Sequence, residues 1–163
     1  MGEDSASLCR EASLGRPQSR QQWKEAVDAF IQRLGEVWAI RCVILHGSRA
    51  TGNWVSGSDV DLVIIAELLP GRFRDRLATV SDLLPREVPV EALCYTPAEF
   101  EEMLDSMNVT ALESVSRGIP LHGHEYFRGL KARFDNMVGR GLRRGRSVWY
   151  WDDTTPSSTP ERT

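Results

Sequence analysis

The chain has 163 residues, 41% of them hydrophobic, enough for one packed core and too few to make two full domains the expectation. A formal net charge of −3 argues against a general nucleic-acid coat, which shows as a basic excess. The most apolar run, LVIIAELLP, is broken by Glu67 and falls far short of the roughly 20 residues that cross a bilayer.

From the N-terminus, residues 1–19 mix Ser, Gly, Pro and charge without period, and residues 152–163 do the same. Both are expected to be disordered tails around a single domain over residues 20–151. MGEDSASLCR has acidic residues and no apolar h-region, and Ala6 stands where a myristoylation signal needs Ser or Thr. Three cysteines, Cys9, Cys42 and Cys94, lie far apart without a C-x-x-C spacing, which predicts free thiols and a reducing, cytoplasmic setting with no membrane. Trp23, Val27, Phe30, Ile31 and Leu34 share one helical face that Gly35 stops. IRCVILHG then predicts a buried strand ending at Gly47, and SDVDLVIIA a second, joined to it through SRATGNWVSG.

Phe73, Leu77, Val80 and Leu84 predict a helix closed by Pro85, ahead of a third strand in EVPVEALCY. Thr96-Pro97-Ala98-Glu99 supplies an N-cap, a proline at N1 and a glutamate at N3, so a helix starts there and runs through Met103. Leu112 and Val115 predict another, ending near Gly118. Phe127, Leu130, Phe134, Met137 and Val138 predict a last one, a C-terminal helical extension. The fold class is α/β (α+β), helices packed on a small sheet. His122-Gly123-His124 has no third ligand of the right type nearby and is expected to be a loop. Arg140, Arg143, Arg144 and Arg146, followed by Trp149, Tyr150 and Trp151, suit either a stacking surface for nucleic acid or docking on the domain or a second subunit. Docking is preferred, because three adjacent aromatic side chains are costly to leave in water.

The chemistry concentrates in HGSRATGNWVSGSDVDLVII, residues 46–65. Asp59 and Asp61 are two apart on a strand, so they leave from one face with Cα atoms about 6.5 to 7 Å apart, while Val60, Leu62 and Ile64 take the other. Two adjacent carboxylates repel unless a cation lies between them. Oxygen-only ligands suit Mg²⁺ or Mn²⁺ brought with a polyphosphate. Gly47 permits a tight turn, and Ser48-Arg49-Ala50-Thr51 opens a helical turn whose free N–H groups suit an anion. Ser48 adds a hydroxyl, and Arg49 either a fork donor for phosphate or a surface salt bridge.

A Gly-Ser pair, a spacer and then Asp-hydrophobic-Asp-hydrophobic resembles the DNA polymerase beta-like nucleotidyltransferases, and within them the minimal nucleotidyltransferases. Here these are Gly47-Ser48, RATGNWVSGS and Asp59-Val60-Asp61-Leu62. The family's third carboxylate lies on a strand before a helix that often begins Thr-Pro-x-Glu, the place Glu91 holds before Thr96-Pro97-Ala98-Glu99. Most relatives have aspartate there, and the extra methylene of Glu91 moves its oxygens by about 1.5 Å. His46 also departs from the more frequent aromatic or aliphatic residue. The resemblance spans residues 40–104, with an echo in ESVSRGIPLHG.

The resemblance implies a small mixed sheet flanked by helices and transfer of a nucleoside monophosphate, AMP from ATP, to an acceptor with release of pyrophosphate. It implies that Asp59 and Asp61 hold the metal ions, that Glu91 assists one metal or deprotonates the acceptor, and that Gly47, Ser48, Arg49 and Ser58 hold phosphates. It also implies a helical toxin-like protein partner, since minimal nucleotidyltransferases often act as antitoxins, some by binding and others by adenylylating the toxin. The chain has little room for a substrate domain, so a homodimer or a partner is expected to complete the site. An RNA-binding module is the third reading.

Overall fold

The computed structural model describes residues 20–53 and 58–154. Among them the elements run α1 (Arg20–Gly35), β1 (Ala39–His46), α2 (Gly47–Thr51), β2 (Val60–Glu67), α3 (Phe73–Leu83) and β3 (Val90–Tyr95). There follow α4 (Pro97–Asp105), α5 (Val109–Arg117), β4 (Ile119–His122), α6 (His124–Gly139), β5 (Leu142–Arg144) and β6 (Trp149–Trp151). The tail expected at residues 1–19, with Cys9, and residues 155–163 of the tail expected at 152–163 lie outside the described residues.

Four strands form one sheet in the order β3-β2-β1-β4. β1 runs antiparallel to β2 and β4, and β2 parallel to β3, so the sheet is mixed. Both faces are covered, and the period-two alternation of each strand divides its side chains between two cores. Val43, Leu45, Leu62 and Ile64 meet Trp23, Val27, Phe30 and Leu34 of α1 and Val80 of α3. Cys42, Ile44, Val63 and Ile65 meet Phe100 and Leu104 of α4, Leu112 and Val115 of α5, and Phe134 of α6. Burial pushes the Cys42 and Cys94 thiols up to about 12, so both pack as small neutral hydrophobes.

Helix α3 is turned from its predicted face. Phe73 and Leu77 are 42% and 40% exposed, whereas Arg76 is only 3% exposed. The guanidinium goes inside because every direction is met: Nε donates to Pro70 O at 2.6 Å, Nη1 to Cys94 O at 3.2 Å, and Nη1 and Nη2 grip the two Glu99 carboxylate oxygens at 2.6 and 2.9 Å. Glu99 also closes the predicted capping box of α4, accepting from Thr96 N while Thr96 Oγ1 accepts from Glu99 N. One carboxylate thus serves a helix end and a buried cation.

Glu99→Ala is expected to lower stability by about 2 to 3 kcal/mol, less than for a fully buried pair because the Glu99 side chain is 42% exposed. Urea unfolding at neutral pH measures it, and a loss indistinguishable from zero would show that the pair is inert. The Arg76 hydrogen bonds hold the Glu99 carboxyl below its usual 4.5, aided by the Thr96 N–H against the opposing effect of burial. A depressed carboxylate stabilises above its unfolded value, so the wild type's advantage is complete above about pH 4.5 and fades as acidification passes through the folded value.

Two further elements were not predicted. Ile119–His122 is an edge strand on β1, so His122 ends a strand and His124 begins α6 where a loop was expected, and Pro120 is tolerated because an edge strand leaves backbone groups unpaired. After α6 the chain forms an antiparallel hairpin, β5 with β6, in a segment for which no element was predicted. Trp149 docks edge-on against Phe134 at 5.5 Å and donates from Nε1 to Glu113 at 3.0 Å, while Arg144 Nε donates to the same Glu113 oxygen at 2.7 Å. Tyr150 and Trp151 stay 47% and 41% exposed, so docking on the domain holds for one of the three aromatic residues.

Candidate functional site

One row of residues crosses the sheet at the start of β2. His46 of β1 pairs with Asp61, and Asp61 pairs with Glu91 of the parallel β3. Paired residues on neighbouring strands point the same way with Cα atoms roughly 5 Å apart, so these three side chains leave from one face. It is the face of Val63 and Ile65, covered further along by α4, α5 and α6. Asp59 precedes β2 by one residue, and Val60 N donates to Pro89 O at 2.9 Å, which ties this lead-in to β3. Asp61 is half-buried, and Asp59 and Glu91 are exposed.

The phosphate turn predicted after β1 is the short helix α2. Gly47 opens it at φ +69°, and Gly52 closes it in the left-handed region at φ +78°. A Cβ built on Gly47 would overlap Asp61 Oδ2 and lie 3.1 Å from Cγ, so the absence of a side chain here is what lets the Asp61 carboxylate lie against the turn. Ser48 and Ser58 are half-buried at the two ends of the connection between β1 and β2. Thus Gly47, Asp61 and Glu91 share one end of the sheet, with Asp59 and Ser48 beside them.

Arg49 turns inward, and its reading as a phosphate fork or surface ion pair gives way to a structural one. The side chain is 7% exposed, donates from Nε to Ser58 O at 3.1 Å and Asp59 O at 3.3 Å, and stacks its guanidinium 5.2 Å from the Trp23 ring centre. It spans nine residues of chain and fastens the lead-in carrying Asp59 to the turn carrying Gly47. Burial lowers its pKa while the Asp59 and Asp61 charges oppose that shift. Burial likewise lowers the pKa of His46 against the Asp61 and Glu91 charges. Trp23 was legible as core but not as the ring beneath Arg49.

Among the described residues no three His, Cys, Asp or Glu side chains close into a metal-holding cluster, and the His122–His124 pair is no exception. The donor set at the sheet end nevertheless suits Mg²⁺, which binds through one or two carboxylates and takes its remaining ligands from water and substrate phosphates. Asp61, backed by Gly47 and flanked by Glu91 and Asp59, offers such a partial shell.

Two cavities flank the row. One, about 420 Å³, lies on the β3 side and is lined by Asp59, Glu91, Pro85, Arg86, Val88 and Val90 among others. The other, about 360 Å³, lies between α2 and α5, with His46, Gly47, Thr51, Thr110, Glu113 and Arg117 in its lining. The part α5 plays in it was not among the expectations from sequence. The signal available was the i, i+3, i+7 spacing of Thr110, Glu113 and Arg117, one polar face beside the buried Leu112 and Val115.

A family model described as a nucleotidyltransferase domain matches residues 27–115. No curated protein matches. Among solved structures, a toxin–antitoxin with AMP-PNP is similar at 17% identity and TM-score 0.44, over 71% of this chain and 86% of that one. A candidate nucleotidyltransferase from Sulfolobus solfataricus is similar at 16% identity and TM-score 0.46, over 68% of this chain and 95% of that one. A mutant of the MntA-HpeT toxin–antitoxin is similar at 15% identity and TM-score 0.42, over 71% and 85%.

Proposed function

The chain belongs to the nucleotidyltransferase domain family, and from that premise we propose that it moves AMP from ATP to a hydroxyl-bearing acceptor in a Mg²⁺-dependent reaction. The observation that carries the reading is the juxtaposition of Gly47, Asp61 and Glu91, a glycine turn packed against one carboxylate that is paired in register with another. Asp59 and Asp61 would hold the metal, which when bound withdraws charge from the phosphates. Gly47 lets the backbone approach the polyphosphate closely, and the Ser48 and Ser58 hydroxyls donate to phosphate oxygens. Glu91 accepts the proton of the attacking hydroxyl. Arg49 keeps Asp59 beside the turn and makes no phosphate contact of its own.

The acceptor is a protein partner, of the helical toxin-like kind that the sequence resemblance implies. The cavity on the Glu91 side supports this reading: apart from Arg86 its lining is apolar or acidic, which suits a side chain better than a phosphate backbone.

Incubation with Mg²⁺, the product of the neighbouring reading frame and ATP labelled at either the α- or the γ-phosphorus tests both parts. Label from the α position is expected on the partner, with pyrophosphate released. Transfer of γ label instead would make the chain a kinase and refute the reading. A complex that forms without label transfer, and survives loss of Asp59 and Asp61, would favour an antitoxin acting by binding alone.

A further inference from the structure

We infer that Arg117, at the end of α5, is the guanidinium that meets the β- and γ-phosphates of the nucleotide, the part that sequence reading gave to Arg49. The inference rests on the nucleotidyl-transfer reading and deepens it.

Three observations converge on this residue. The row Glu91–Asp61–His46 has a direction, because β3, β2 and β1 lie side by side in that order. In an in-line displacement the attacking and leaving oxygens sit on opposite sides of the phosphorus. With the acceptor hydroxyl entering beside Glu91, the α-phosphorus lies over Asp61 and the leaving pyrophosphate extends past Gly47 into the cavity between α2 and α5. The acceptor oxygen bonds to the α-phosphorus, the α–β anhydride bond breaks, pyrophosphate leaves with that electron pair, and the hydroxyl proton passes to Glu91.

That cavity needs a cation, and Arg49 does not supply it. Its Nε is bonded to two main-chain carbonyls, and the side chain is buried against Trp23. Among the described residues that line the cavity, Arg117 supplies the guanidinium.

Arg117 is also available. The acid one helical turn before it, Glu113, is already engaged by Arg144 at 2.7 Å and by Trp149 Nε1 at 3.0 Å. Burial would raise the Glu113 pKa, yet these two hydrogen bonds and the positive charges of Arg144 and Arg117 hold it lower. The hairpin therefore neutralises the carboxylate that would otherwise both capture Arg117 and repel a polyphosphate. Arg117 is exposed and makes no hydrogen bond or ion pair among the described residues. Its guanidinium presents a fork to phosphate oxygens, the geometry that favours arginine over lysine.

Calorimetric titration with Mg²⁺ and three probes, ATP, tripolyphosphate and AMP, tests the assignment. Arg117→Gln is expected to weaken ATP and tripolyphosphate by about 10- to 100-fold, the value of one or two charge-assisted hydrogen bonds, and to leave AMP unchanged. Arg117→Lys, which keeps the charge without the fork, is expected to fall between. In steady state KM for ATP rises while kcat is kept, a split that a structural defect would not give, and the melting temperature stays that of the wild type. Tripolyphosphate bound equally well by Arg117→Gln and wild type would overturn the inference and leave the nucleotide site standing. Wild type that binds neither ATP nor tripolyphosphate would overturn the site reading itself, and this inference with it.

Discussion

Asp61→Asn is expected to abolish nucleotidyl transfer and leave the fold intact. Asp61 is the middle of the row, paired in register with both His46 and Glu91, and the Gly47 backbone is built around its carboxylate. Asparagine keeps the shape and one oxygen acceptor but loses the anionic charge a hard divalent ion requires. A metal ion contributes several kcal/mol of charge stabilisation in such reactions, so the rate should fall roughly a thousandfold or more. Stability moves the other way. Without metal, the wild type holds Asp61 in register beside Glu91, and removing one charge relieves repulsion. The melting temperature in chelator should therefore equal or exceed that of the wild type. Pyrophosphate release and a melting curve on the same sample separate the two effects. Transfer at the wild-type rate would remove Asp61 from the metal site, and lost activity with a collapsed melting point would reduce it to a structural residue.

Legibility from sequence followed the range of the interactions. The face of α1, the alternation in β2 that sends Asp61 away from Leu62 and Ile64, and the capping box at Thr96 each depend on residues within a few positions, and each was readable. The Gly-Ser turn and the carboxylate pair were readable as a spacing, and strand pairing then aligned Asp61 with Glu91 across 30 residues of chain. What escaped depends on partners far apart in sequence. Arg76 looked like an ordinary polar position on α3, because its four acceptors come from Pro70, Cys94 and Glu99. Arg49 was left between a phosphate fork and a surface ion pair because its fate is decided by Trp23 and by two carbonyls. The β5–β6 hairpin was hidden because three-residue strands carry too little periodicity, and its aromatic residues divide between docking and exposure only once Glu113 and Phe134 are in place. An arginine's role is set by which carbonyls and carboxylates can reach it, and a single sequence leaves that open at both Arg49 and Arg117.

Gly47→Ala is the sharpest test of the turn, because the substitution acts twice. The backbone at φ +69° lies in the left-handed region, where a side chain costs about 1 to 2 kcal/mol. The new methyl also falls on the Asp61 carboxylate, which must swing away for the methyl to fit. Strain alone would lower stability and spare the chemistry, whereas displacement of Asp61 removes a metal ligand from its place and obstructs the approach of the phosphates. Gly52→Ala separates the two effects. It sits at φ +78° at the other end of α2, and a Cβ there meets nothing within 4 Å. Both variants should lose about the same stability, roughly 1 to 2 kcal/mol. Gly52→Ala should keep most of its transfer rate, while Gly47→Ala should approach the rate of Asp61→Asn. A mispositioned carboxylate 1 Å from its productive place is enough for a hundredfold loss. If the two alanines depress transfer equally, the contact between Gly47 and Asp61 plays no part in catalysis, and the glycine is present for the turn alone.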